Sequence, residues 1–124
     1  FNGLAGVISV VQEGKKRSLV MSTQSVSLSE KDKRVTDVEV KEKERVECKK
    51  KIVYLRIDGD FTRGKDEATF FYSYDGTDWK QLGEPCRMEF DYRKLFMGNK
   101  FAVFNYATKS LGGYVDIDYF EYNK

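Results

Sequence analysis

The feature that most constrains the fold is one hairpin-like stretch, EATFFYSYDGTDWKQLG, at residues 67–83. An alternating segment rich in aromatic residues leads into a polar turn, and a second short segment starts at Trp79. Alternating side chains fit the pleat of a strand, and Asp and Gly are the residues that tight turns favour. The stretch therefore predicts two antiparallel strands, with Asp75 and Asp78 as turn formers rather than calcium ligands.

Other segments carry the same strand-like patterning. The apolar run at residues 4–11 is expected to pair with the alternating segment at 18–28, and residues 52–61 form a further strand. Residues 30–51 combine dense charge with regularly spaced valines. They predict a pair of exposed strands whose charges discourage edge pairing, with a polyionic recognition element as the alternative. Residues 100–108 and 112–124 are expected to complete the antiparallel set, with Val115, Ile117 and Tyr119 facing the core.

Many short strands with few helical periodicities and one proline predict an all-β fold. The spacing of turn signals favours an antiparallel β-sandwich or barrel. A chain of 124 residues is large enough for one domain with its own core. No linker or internal repeat divides it.

Composition excludes several classes of function. Histidine is absent, and 22 basic residues against 20 acidic ones give a net charge of only +2. We therefore expect no cofactor, no metal site, no nucleic acid and no membrane surface as a partner. Cys48 and Cys86 are interpreted as two thiols, with a single disulfide as the alternative.

Catalysis by this chain alone would depend on carboxylates, and the sequence offers one tempting pair. On an extended strand Asp116 and Asp118 would stand about 6 to 7 Å apart, close to the spacing that inverting glycosidases use. Two acids on one face of one strand point the same way, however, and cannot flank a sugar. We therefore expect no catalytic residue in this chain.

Sugar-binding sites combine an exposed aromatic platform with side chains that donate and accept hydrogen bonds. Aromatic residues at alternating strand positions are also typical of a core, so each candidate has a packing alternative. Trp79 either stacks on a ligand at the sheet rim or pins the turn onto the core, and Asn105 either bonds within the sheet or faces a ligand. The candidates that the residue types favour are Tyr72, Tyr74, Trp79, Asn105, Tyr106 and Asp116.

An ordered set of segments also indicates a family. GLAGVISVVQ, VYLRIDGDF, ATFFYSYDGTDWKQLG, MEF and FMGNKFAVFNYATKSLGGYVDIDYF follow one another along the chain. Together they resemble the C-terminal concanavalin A-like β-sandwich, a jelly roll, of the β-xylosidases and α-L-arabinofuranosidases of glycoside hydrolase family 43.

The resemblance implies a noncatalytic accessory domain spanning residues 1–124, taken from a longer, secreted or periplasmic hydrolase whose catalytic residues lie on a separate propeller. The expected partners are that propeller and xylan or arabinoxylan oligosaccharides. In some members a loop of the sandwich presents an aromatic side chain to the catalytic pocket, and the matching position here is Phe96. Two roles stay open: contact with sugar, through the pocket or directly, and a purely structural sandwich that packs on its own catalytic domain.

Overall fold

The computed structural model of the chain describes residues 3–32, 34–88 and 99–124. In this part of the chain every regular element is a strand and all pairing is antiparallel, which confirms the predicted fold class. No helix of the described residues is long and apolar enough to cross a bilayer. The strands are β1 (Gly3–Glu13), β2 (Lys16–Leu28), β3 (Val35–Glu47), β4 (Tyr54–Asp60), β5 (Glu67–Ser73), β6 (Lys80–Gln81) and β7 (Cys86–Arg87).

The first sheet has the order β1-β2-β3. All of β1 pairs with residues 16–26 of β2 through a turn at Gly14, whose φ of 61° suits glycine. The charged region forms a single strand, β3, instead of the predicted pair, because no Gly, Pro or Asn interrupts Val35–Glu47. β3 lies at one edge of the sheet with eight charged side chains, whereas β1 at the other edge has one, Glu13.

The second sheet has the order β4-β5-β6, and β7 also pairs with β5. The predicted hairpin is present as β5 and β6, and its turn depends on Asp75. The Oδ1 atom of Asp75 accepts hydrogen bonds from the backbone N–H groups of Thr77 and Asp78, both at 2.8 Å, and from the Ser73 hydroxyl at 2.9 Å. The Asp78 and Thr77 amides and the Ser73 hydroxyl together hold the pKa of Asp75 well below its usual range.

The core lies where the two sheets face each other. Leu19 and Met21 of β2 pack with Phe70 of β5, and all three side chains are fully buried. One hydrogen bond also links the two halves of the structure: the Gly83 N–H, just after β6, donates to the side-chain atom Oε2 of Glu44 in β3 at 2.6 Å. The remaining members of the buried cluster are Cys48, Ala68, Leu82 and Cys86, and both cysteines are free thiols, as predicted.

Residues 99–124 differ from the prediction. They contain no strand, and every residue in this range is exposed, including the expected core residues Val115, Ile117 and Tyr119. An alternating pattern forms a strand only when a hydrogen-bonded neighbour is present, and none of β1–β7 pairs with this segment. The segment lies near β4, where the rings of Tyr119 and Tyr54 are 6.3 Å apart.

Gly6 of β1 lies against the ring of Phe70 from β5. A Cβ atom at this position would lie 2.5 Å from Cζ of Phe70 and 3.3 Å from Cβ of Cys86. We expect Gly6→Ala to lower the free energy of unfolding by about 1 to 3 kcal/mol, because neither sheet can move apart without losing core contacts.

Urea denaturation followed by fluorescence measures this effect. The matched control is Gly113→Ala, whose new methyl group would meet no atom within 4 Å. The control should stay within about 0.5 kcal/mol of the wild type. Equal midpoints for the two variants would contradict the close approach of the sheets.

Acid should remove the contribution of Asp75. Its pKa is lowered in the folded state, so the stabilisation is fully present above the unfolded value of about 3.9 and is lost as the pH falls towards the folded value. We expect Asp75→Ala to melt below the wild type at pH 7, and the difference to shrink steadily below about pH 4. Thermal melts between pH 7 and pH 2 test this, and a difference that is independent of pH would contradict it.

Candidate functional site

Two neighbouring tyrosines line a pocket at the turn end of β5. The rings of Tyr72 and Tyr74 meet edge to face, with centroids 5.6 Å apart and an interplanar angle of 65°. Both side chains are half-buried and pack against the core cluster. The pocket has a volume of about 200 Å³, and its other lining residues are Ser73, Asp75, Asp78 and Lys80. We call this site the tyrosine pocket.

The polar groups of the tyrosine pocket differ in what they can offer a ligand. Burial raises the pKa of Tyr74, and the nearby Cys48 thiol raises it further. Asp75 is occupied by the turn. The side chains of Tyr72, Asp78 and Lys80 form no hydrogen bond or ion pair with the described residues. The pocket therefore offers an aromatic wall, one phenol, one carboxylate and one ammonium group.

Trp79 lies on the opposite face of the second sheet. The guanidinium carbon of Arg56 is 4.7 Å from the centre of the Trp79 ring and 4.5 Å from that of Phe71, so the cation is held against two aromatic faces. Arg56 Nε also lies 3.0 Å from Oδ1 of Asp58, in an ion pair whose angle does not make a hydrogen bond. Trp79 is half-buried, and its role as a stacking platform or as a packing residue stays a prediction.

The predicted site residues do not form one surface. Tyr72 and Tyr74 share the tyrosine pocket, and Trp79 is separated from them by the sheet. Asn105, Tyr106 and Asp116 lie in the exposed segment 99–124. Asn105 is therefore exposed, and it is not the buried amide that was expected on an apolar strand. Tyr106 is 71% exposed, and its ring centroid is 5.8 Å from that of Phe104.

Phe96 lies outside the described residues. Lys80 and Arg56 are not among the candidates predicted from the sequence, although the pairing of β4 with β5 brings Arg56 opposite Phe71. Predicting that register from the sequence would have identified Arg56 as the cation that stacks on Phe71.

A second concave site, which the sequence analysis missed entirely, lies between the two sheets. Its volume is about 270 Å³. We call it the polar cleft, because most of the side chains around it carry charge or a hydroxyl group. The lining residues are Leu4, Thr23, Ser25, Glu39, Lys41, Lys43, Glu84, Pro85, Cys86 and Arg87.

The described residues include no group of three or more His, Cys, Asp or Glu side chains that could hold a metal ion. Asp116 and Asp118 are both exposed in a segment without regular structure. Two concave sites among the described residues are the tyrosine pocket and the polar cleft.

Comparison with known proteins agrees with this architecture. The family model described as the β-xylosidase C-terminal concanavalin A-like domain matches residues 1–123. No curated protein and no solved structure matches the chain. The match covers nearly the whole chain, and the antiparallel sheets without a helix in the described residues fit such a sandwich. The chain therefore belongs to the family of concanavalin A-like domains found at the C-terminus of β-xylosidases.

Proposed function

We propose that this chain is a noncatalytic module of a xylan- or arabinoxylan-degrading glycoside hydrolase, and that it binds xylan-type oligosaccharides at the tyrosine pocket. Family membership supports an accessory role beside a catalytic domain of the same polypeptide. The observation that carries sugar binding is the pocket itself. Tyr72 and Tyr74 present aromatic surface on one side, and Asp78 and Lys80 add polar groups at the rim.

This combination matches the chemistry of a sugar ring. A pyranose has an apolar face that packs on an aromatic ring, and its hydroxyl groups need donors and acceptors around the edge. The Tyr72 hydroxyl and the Asp78 carboxylate supply an acceptor each, and Lys80 supplies donors. The Asp75 turn fixes the backbone of the rim, so little backbone ordering is needed when a ligand binds.

A second role is favoured by a different observation. Leu55 and Ile57 of β4 and the following Phe61 are 41%, 36% and 55% exposed, which leaves apolar surface beside the exposed segment 99–124. Contiguous apolar surface of this kind is typical of contact with another protein surface. A purely structural sandwich that packs on its own catalytic domain would use this surface and need no sugar. Support of the catalytic pocket by the loop that carries Phe96 stays a prediction.

Titration calorimetry with xylohexaose distinguishes the two roles. We expect saturable binding by the wild type and about a fivefold loss of affinity in Tyr72→Phe, because one neutral hydrogen bond contributes about 1 kcal/mol. The control is Tyr114→Phe, the same change at a tyrosine that is 87% exposed and outside the pocket.

Tyr72→Phe keeps the ring that packs against Tyr74, so the variant should melt like the wild type. A chain that melts cooperatively and ignores xylohexaose would favour the structural role. Equal affinities for Tyr72→Phe and Tyr114→Phe would place the sugar site elsewhere.

A further inference from the structure

The inner face of the first sheet changes character along β2. Leu19 and Met21 are fully buried under the second sheet, whereas Thr23 and Ser25, two and four residues further on, line the polar cleft. These side chains share one face because they alternate along the strand. The space between the sheets is therefore apolar and buried at one end, and open and polar at the other.

A β-bulge adds a cation to this polar end. Met21 pairs with Glu44 and Ser22 pairs with Glu42, so Lys43 is the extra residue of β3. Bulges re-aim side chains, and here Lys43 joins Lys41 in lining the cleft. Burial raises the pKa of the cleft residue Cys86, and the positive charge of Lys43 partly opposes this rise.

The facing wall of the polar cleft comes from the second sheet. Arg87 lies in β7, directly after the buried Cys86, and Glu84 lies in the connection before it. β7 lies beside β1, since a Cβ atom added to Gly6 would be 3.3 Å from Cβ of Cys86. Residues of both sheets, Lys43 of β3 and Arg87 of β7, therefore line the cleft.

The cleft has an excess of positive charge. Its cations are Lys41, Lys43 and Arg87, against the two acids Glu39 and Glu84. Lys41 is neutralised by Glu39, with Nζ and Oε1 3.2 Å apart. Neither Lys43 nor Arg87 forms an ion pair within the part of the chain that the structure describes. With Lys41 paired, Lys43, Arg87 and Glu84 remain, so the cleft keeps a net charge of +1 beside the hydroxyl groups of Thr23 and Ser25.

We propose that the polar cleft binds an acidic sugar, with Lys43 and Arg87 holding the carboxylate of a uronate and Thr23 and Ser25 bonding its ring hydroxyls. Arginine and lysine recognise carboxylates through charge-assisted hydrogen bonds, and small polar side chains suit hydroxyl groups. The volume of about 270 Å³ fits one sugar unit, since pockets for larger, drug-sized ligands begin at about 300 Å³. This inference rests on the proposed function, because it names an acidic subclass of saccharide for the same module.

The test compares sodium glucuronate with glucose, which has the same ring but no carboxylate. Isothermal titration calorimetry of the full chain at low salt should show that glucuronate binds at least about tenfold more tightly than glucose. Lys43→Gln and Arg87→Gln should each remove most of that preference. The control is Lys31→Gln, an exposed lysine in the turn between β2 and β3.

Three results would overturn the proposal: equal affinity for glucuronate and glucose, equal affinity in Lys43→Gln and Lys31→Gln, and binding of sodium acetate as tight as that of glucuronate. The last would show an anion site without sugar recognition. Xylohexaose titrated into Tyr72→Phe and Lys43→Gln separates the two sites. Loss of xylohexaose binding in Tyr72→Phe alone supports the tyrosine pocket, and loss of glucuronate binding in Lys43→Gln alone supports the polar cleft.

Discussion

The packing of Phe70 against the first sheet is the contact on which the rest of the structure depends. Its ring occupies the space over Gly6, where only a hydrogen atom fits, and it is 1% exposed. A second close approach lies nearby, since a Cβ on Gly83 would meet Sδ of Met21 at 2.7 Å. Because both sheets are fixed by these contacts, β7 lies against β1, and the polar cleft has two walls instead of one.

Sequence patterning predicted the parts of the fold in which local signals and long-range pairing agree. The β5–β6 hairpin is the clearest case, because Asp75 directs the turn through its own hydrogen bonds and Phe70 directs the strand into the core. Residues 99–124 show the reverse. Their alternation is as regular as that of β5, yet a strand also needs a neighbouring backbone, and alternation says nothing about whether one is present.

The candidate sites were also predicted only in part from the sequence. Alternation puts Phe70 and Tyr72 on one face of β5, and Tyr74, just after the strand, packs against the same core cluster; the two tyrosines line the tyrosine pocket. It did not predict that Trp79 would lie on the other face against Arg56, because the turn decides that orientation. The polar cleft could not be predicted from the sequence, because it depends on a bulge at Lys43 and on the approach of a strand from the other sheet.

The two edges of the first sheet have unequal consequences for assembly. Along β3, closely spaced charges of both signs make it costly to bring another backbone alongside and strip the water from those groups. Along β1, ten of the eleven residues carry no charge, and that cost is absent. A further strand, whatever its source, would therefore pair with β1 at a lower desolvation cost than with β3. The charged edge of β3 ends the sheet on the other side.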